Sequence, residues 1–383
     1  MTERQLLEPD VQFINEVVSL GGEDLKKCYQ CATCAVACPI SPDNSPFPRK
    51  EMIAASWGLK DRVVGSSDIW LCHNCGDCST MCPRGANPGD VLTAIRQYAI
   101  AEYSRPKKFG ALFNDPRELW KLFLFPLTLF IGLGLILKVF GVDWLNLAPH
   151  GDEIVHAHFI HTTFVDIIMI PTFFFSIGVF AMGLKRMLAD MHADALATGK
   201  TDVKTIDPRG FVDALIKVVP TILKHRKFSE CGENQERAVS HMMVFFGFAA
   251  LFTVTNIFFV VMYGFGIHGP YQQINPVKWL ANIGGVSLVV GASLMIRDRM
   301  ARSGEQKSCY RDWFIVVLAL ALGVTGLLTQ MTRLGGAAGL SYFLYLLHLC
   351  CIWILFACLP FTKFAHIVYR TVAMAYAEYS GRK

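Results

Sequence analysis

Eight cysteines stand in two runs of the same spacing. Cys28, Cys31, Cys34 and Cys38 are followed by Pro39, and Cys72, Cys75, Cys78 and Cys82 by Pro83, so that C-x2-C-x2-C-x3-C-P occurs twice. Three closely spaced thiolates wrap one corner of an iron–sulfur cubane, while the fourth, one residue further on, points to the other cluster of a two-cluster ferredoxin. The spacing assigns Cys28, Cys31, Cys34 and Cys82 to one 4Fe-4S cluster, and Cys72, Cys75, Cys78 and Cys38 to a second. The competing chemistry is a pair of zinc knuckles, but zinc sites ordinarily use two separated ligand pairs rather than runs of four. The 33 residues between Cys38 and Cys72 hold a credible helix, which points to an α-helical ferredoxin module.

Ionisable side chains inside a bilayer are costly and mark function, which singles out His241, His348 and His366, each in or beside a long apolar stretch. His348 and His366 are 18 residues apart, five helical turns. On one continuous helix both would share a face, ~27 Å apart, one towards each side of the membrane. Two stacked haems b need such an arrangement. His241 lies level with His366, and the two could fill both axial positions of one haem. For His348 the chosen partner is His161, with His158, His156 and His268 as competitors. The alternative is that these are interfacial or hydrogen-bonding histidines. His150, Asp152, Glu153 and His156 could handle quinone protons, but a solvated loop is preferred.

Such residues need two kinds of scaffold. With 53% hydrophobic and only 17% charged residues the chain is too apolar for a soluble protein of 383 residues. The long apolar runs all lie after Glu118, near 119–141, 162–184, 239–266, 280–296, 312–331 and 340–361, each near the roughly 20 residues needed to span a bilayer. Before them, short helices are expected at 3–20, 48–64 and 88–103. The expected fold is all-α: an α-helical ferredoxin domain with two 4Fe-4S clusters over 1–110, then a six-helix transmembrane cytochrome b bundle over 111–383. The segment 185–237 carries ten Lys and Arg and the loop 297–311 carries five. The positive-inside rule then puts both, and the cysteine domain, in the cytoplasm of a multi-pass inner-membrane protein. Residues 207–230 fit a basic amphipathic helix on the inner lipid surface, or a plain loop helix. No cleavable signal peptide is expected, since the first 27 residues alternate charged and apolar types, and cysteines kept reduced in the cytoplasm read as metal ligands, not disulfides.

Other chemistries are not indicated. Glycines in the apolar stretches do not lie between a strand and a helix, so flavin or nucleotide binding on this chain is not expected. No nucleophile triad stands out, no nucleic-acid partner is expected, and the net charge of +5 reflects membrane topology. Cys231, Cys309, Cys350, Cys351 and Cys358 lack ligand spacing. Substrate chemistry is therefore expected on partner subunits.

The two cysteine motifs, followed by a membrane half with His241, His348 and His366, resemble a fusion of the C and E subunits of heterodisulfide reductase. This arrangement is similar to the membrane subunits of the quinone-interacting oxidoreductase complexes of sulfate-reducing bacteria, over nearly the whole chain. The membrane half also resembles the nitrate reductase gamma subunit family, in which a late span supplies two haem ligands 18 residues apart. In that family an earlier span supplies two ligands ten residues apart, whereas ten positions after His241 stands Leu251. The resemblance implies menaquinone as a partner, two further flavin and iron–sulfur subunits, and electron delivery towards adenylylsulfate reductase in sulfate respiration. A membrane protein of the heterodisulfide-reductase or sulfite-reduction type, or a haem-free membrane-anchored ferredoxin, are the alternatives.

Overall fold

The computed structural model describes residues 8–42, 45–147, 153–224, 235–301 and 309–381, with the backbone alone at 235–237. His150, Asp152 and Cys231 lie outside the described residues. Among those residues the fold is helical, broken by one isolated antiparallel bridge between Leu145 and Ile160.

The N-terminal part is built from α1 (Val11–Val17), α2 (Thr33–Val36), α3 (Arg49–Ser56), α4 (Lys60–Val64), α5 (Asp68–Leu71), α6 (Asp77–Thr80) and the longer α7 (Pro88–Tyr103). Asp10 caps α1 by accepting from the Phe13 amide at 2.8 Å. The helix expected over 48–64 is two helices, α3 and α4, hinged at Gly58, which takes a φ of +70°. Helix α7 begins with Pro88 at its first turn, where the missing amide costs nothing, and runs over the expected residues.

After α8 (Lys107–Asn114) the chain enters the first apolar helix, whose two halves, α9 (Leu119–Leu127) and α10 (Leu133–Val139), are joined by a π-helical turn after Pro126. A short α11 (His156–Phe159) precedes α12 (Thr162–Ala197), then come α13 (Pro208–Leu223), α14 (Gln235–Phe265), α15 (Pro276–Ala301), α16 (Tyr310–Leu334), α17 (Ala338–Cys358) and α18 (Ala365–Tyr379). Among the described residues six helical segments are long and apolar enough to cross a membrane, the last combining α17 and α18. Small residues let α14 and α15 approach closely: a methyl group at Gly247 would come within 3.0 Å of the Gly284 carbonyl oxygen.

Two features differ from expectation. His348 and His366 do not share one continuous helix. Helix α17 ends at Cys358, Leu359–Phe361 form a 3-10 turn containing Pro360, and Thr362 is extended before α18 starts. A proline in the interior removes a backbone hydrogen bond and clashes with the preceding turn, so the five-turn stacking does not hold. The second concerns the boundary near residue 110, which is not a boundary in packing. Phe13, Trp70, Val91, Ile95 and Tyr103 of the N-terminal part share one core with Met187 and Met191 of α12 and with Ala365, Tyr369 and Tyr376 of α18. Helix α12 extends beyond the expected 184 to Ala197, and α18 follows the last apolar stretch, so both reach into the cysteine domain. Helix α13 buries Ala214 and Val218, the latter packing with Met374 and Ala375 of α18, and leaves Val212, Ile216, Val219 and Leu223 exposed.

Candidate redox site

The two cysteine runs build their loops alike. Gln30 and Asn74, two residues after the first cysteine of each run, have φ of 60° and 55°; Ala32 and Gly76, four residues after it, have φ of 69° and 100°. These left-handed residues, uncommon for side chains other than glycine and asparagine, turn each loop around its own cysteines before the short helices α2 and α6. Thiols far apart in sequence meet as a result. Cys28, Cys31 and Cys34 line a hollow together with Cys82 and Pro83. Cys72, Cys75 and Cys78 line another together with Cys38 and Pro39. Among the described residues no three His, Cys, Asp or Glu side chains close on a point as one metal ion requires; the thiols instead ring two larger spaces, in the exchanged pattern that the motif spacing assigns.

The surroundings act on the thiols in opposite directions. The Asn74 amide donates to Cys72 Sγ at 3.3 Å and the Ala86 amide to Cys82 Sγ at 3.4 Å. Cys31 is exposed, 3.4 Å from the Thr33 hydroxyl, and the Thr33 side chain and amide hold its thiol below the ordinary range. Burial pushes the Cys34 thiol up to about 11, with Cys28, Cys82 and Cys31 adding to it. Burial likewise pushes Cys38 up to about 11, and drives Cys78 well above the ordinary range, with Cys72, Cys75 and Cys38 adding. Neutral thiols crowded together in this way lose their protons on binding a metal centre, which supplies the opposing positive charge.

The membrane histidines fall into two groups. On the cysteine side, His366 opens α18 and its Nδ1 faces the Lys363 carbonyl. A carbonyl only accepts, so Nδ1 carries the proton and Nε2 keeps its lone pair. His241 of α14 lies within electrostatic reach of His366. Leu251, ten residues after His241, is partly buried against the core of the apolar helices and packs beside Gly284.

On the far side, His348 Nδ1 is 2.9 Å from the Thr325 hydroxyl, which itself donates to the Ala321 carbonyl at 2.6 Å. With its one hydrogen committed there, Thr325 accepts from His348 Nδ1, again leaving Nε2 with the lone pair. Gly326 makes room for this ring: a methyl group there would stand 2.9 Å from His348 Cε1. Both imidazoles thus have the tautomer and the anchored orientation of a metal-ligating histidine. That donor chemistry fits the axial positions of haem iron.

The structure sets His156, and not His161, next to His348. His156 Nε2 is 3.0 Å from the Ser341 hydroxyl, and its ring stacks on Tyr345 at 4.6 Å. Ser341, Tyr345 and His348 follow one another along a single face of α17. Burial, aided by Arg333, Lys278 and His348, holds the His156 ring neutral, down to about 4. His161 is exposed instead; it caps α12 by accepting from the Thr163 amide at 3.3 Å and stacks on Trp144. His158 and His268 are exposed as well. The Thr325 and Lys363 partners, and the glycine under His348, carried no sequence signal.

Comparison with known proteins gives a consistent class. Residues 24–86 match the 4Fe-4S dicluster domain, and residues 227–382 match a family model described as Citrate utilization protein B. Citrate utilization protein B of Escherichia coli is 24% identical over 308 residues, covering 75% of this chain and 74% of its own length. The C subunit of the H(2):CoB-CoM heterodisulfide,ferredoxin reductase of Methanothermobacter marburgensis is 36% identical over 56 residues, 14% of this chain and 30% of its own length. A protein of Archaeoglobus profundus that is like the C subunit of heterodisulfide reductase is 31% identical over 105 residues, 27% of this chain and 56% of its own. No solved structure matches. The chain is thus an iron–sulfur electron-transfer protein related to the C subunit of heterodisulfide reductase, joined to a region similar to Citrate utilization protein B.

Proposed function

We propose that the chain is the membrane subunit of a quinone oxidoreductase complex, passing electrons between menaquinone and soluble partner subunits through two haems b and two 4Fe-4S clusters. The observation that carries this reading is the shared core: the domain with two four-thiol rings packs directly on α12 and on α18, the helix that begins with His366. Cys28, Cys31, Cys34 and Cys82 would hold one cluster, and Cys38, Cys72, Cys75 and Cys78 the other. His241 and His366 would hold the haem nearer the cysteines, and His348 the farther one, with His156 in the position expected for His161. Haem and cluster together supply one-electron steps that couple the two-electron chemistry of quinone to soluble carriers.

The remaining parts of the reading rest on resemblance and charge. By the positive-inside rule, the Lys and Arg of 185–237 support a cytoplasmic cysteine domain. Two flavin and iron–sulfur subunits would complete the complex, with adenylylsulfate reductase downstream in sulfate respiration. A membrane protein of the heterodisulfide-reductase type is the second reading, supported by the matches of the cysteine domain to one C subunit and one protein like it. The partner copurified with the chain separates these.

The test is a dithionite-reduced minus oxidised spectrum of the purified chain with pyridine haemochrome quantitation, repeated for His241→Ala, His348→Ala and His366→Ala. About two haems b per chain, with haem lost in each variant, is the expected result. A chain with intact clusters and no haem would leave a membrane-anchored ferredoxin.

A further inference from the structure

The two four-thiol sets are not equally tied to the membrane helices. Arg370, four residues after His366 and therefore one turn along α18 on the same side, donates from Nη1 to the Cys72 carbonyl at 2.9 Å and from Nη2 to the Leu71 carbonyl at 3.4 Å. Arg96 of α7 donates to the same Cys72 carbonyl at 3.2 Å, and lies within electrostatic reach of His366. Both side chains are half-buried. Around them α18 packs on α5, the helix that leads into Cys72, and Tyr369 stacks on Trp70 at 5.2 Å. The Cys28 set is held differently: Arg49 donates to the Gln30 carbonyl at 3.1 Å from within the cysteine domain, and Cys31 is exposed to solvent.

We propose that Arg370 and Arg96 are positioning residues that clamp the Cys72 loop to the His366 helix, making Cys38, Cys72, Cys75 and Cys78 the membrane-side set and the Cys28 set the outer one. The order of the two sets along the electron path follows from this clamp. Two guanidinium groups at one ligand's backbone place positive charge beside that set, which favours its reduced form, since reduction adds negative charge. The proposal rests on the cluster reading above.

The experiment is an EPR-monitored redox titration of the full chain in detergent for Arg370→Gln, Arg96→Gln, Arg370→Lys and Arg49→Gln. Arg370→Gln and Arg96→Gln are each expected to lower the midpoint of one cluster signal, leaving it about tenfold less reduced at a fixed poise, while the other signal stays. Arg370→Lys keeps the charge and should retain most of the midpoint, which guards against a glutamine variant that loses iron. Arg49→Gln should lower the opposite signal. If both glutamine variants leave the two midpoints unmoved, or lower them equally, with iron content intact, the clamp has no bearing on either set and the proposal fails. Absence of any cluster signal from the unsubstituted protein would overturn the cluster reading itself.

Discussion

The two cysteine sets are near copies in sequence and unlike in surroundings. Each has the same spacing, the same left-handed residues two and four positions after its first cysteine, and a proline after its last. Yet Cys72 and Cys78 are buried and their loop is held by arginines of α7 and α18, whereas Cys31 of the other set is open to solvent. Exposed on the protein surface near that set are Tyr29, Val36 and Met81, with Arg84 stacked over Tyr29. The local motif makes a cluster site; what lies outside the motif makes one site inner and one outer. Solvent exposure, nearby charge and hydrogen bonds to sulfur tune the potential of such a centre, so identical ligand sets can serve as different steps of one relay.

The most damaging way to sharpen this contrast is Cys78→Ser. It should remove about half of the roughly eight irons of two clusters and lower the thermal midpoint of the whole cysteine domain, because the site is buried against α7. Cys31→Ser should also deplete iron, yet leave the melting curve nearly unchanged, since the residue is exposed. Iron assays alongside thermal unfolding separate the two, and equal losses of stability would contradict the inner and outer distinction.

The same contrast extends into the membrane half. Gly326→Ala forces a methyl group against the His348 ring, at a cost of about 1–3 kcal/mol. It should lower far-side haem content while leaving cysteine-side haem intact; resolved haem bands in a low-temperature spectrum report this, and equal loss from both would weigh against two separate sites.

A smaller effect is expected at Glu51, on α3 beneath the Lys50–Asp68 ion pair. Burial pushes its carboxyl up, to about 8, against the pull of Lys50 and with the help of Asp68. A carboxyl with a raised folded value binds its proton more tightly when folded, so stability is greatest at low pH and falls as pH rises from the ordinary carboxylate range through about 8. Glu51→Gln should flatten that decline in urea unfolding measured between pH 5 and 9, and an unchanged slope would mean the group is ionised when folded.

Much of the molecule was legible because its signals are local. A twenty-residue apolar stretch has to become a helix in lipid, where every backbone group needs an internal partner, and among the described residues six such stretches are helices long and apolar enough to cross a membrane. Pro88 marks the start of α7 at the residue where it begins. The cysteine spacing already groups each fourth cysteine with the other run, as the linings of the two hollows do, since a cysteine one residue out of step with its three neighbours turns away from them.

What the sequence could not determine depends on which helix lies beside which. Nothing in the order of residues says that Ser341 and Tyr345 receive His156 while His161 is left capping α12; both histidines are close to the same apolar start. Pro360 is visible in the sequence, but whether it bends a helix or ends it depends on whether neighbours satisfy the freed backbone groups, and here α17 stops. The packing of α12 and α18 into the cysteine domain, and with it the reach of Arg370 to the Cys72 carbonyl across nearly three hundred residues, is a long-range contact without a local pattern. Residue types and spacing determined which chemistry the chain can hold; only the tertiary structure decided which set of thiols faces the membrane, because that choice is made by surfaces distant in sequence and adjacent in space.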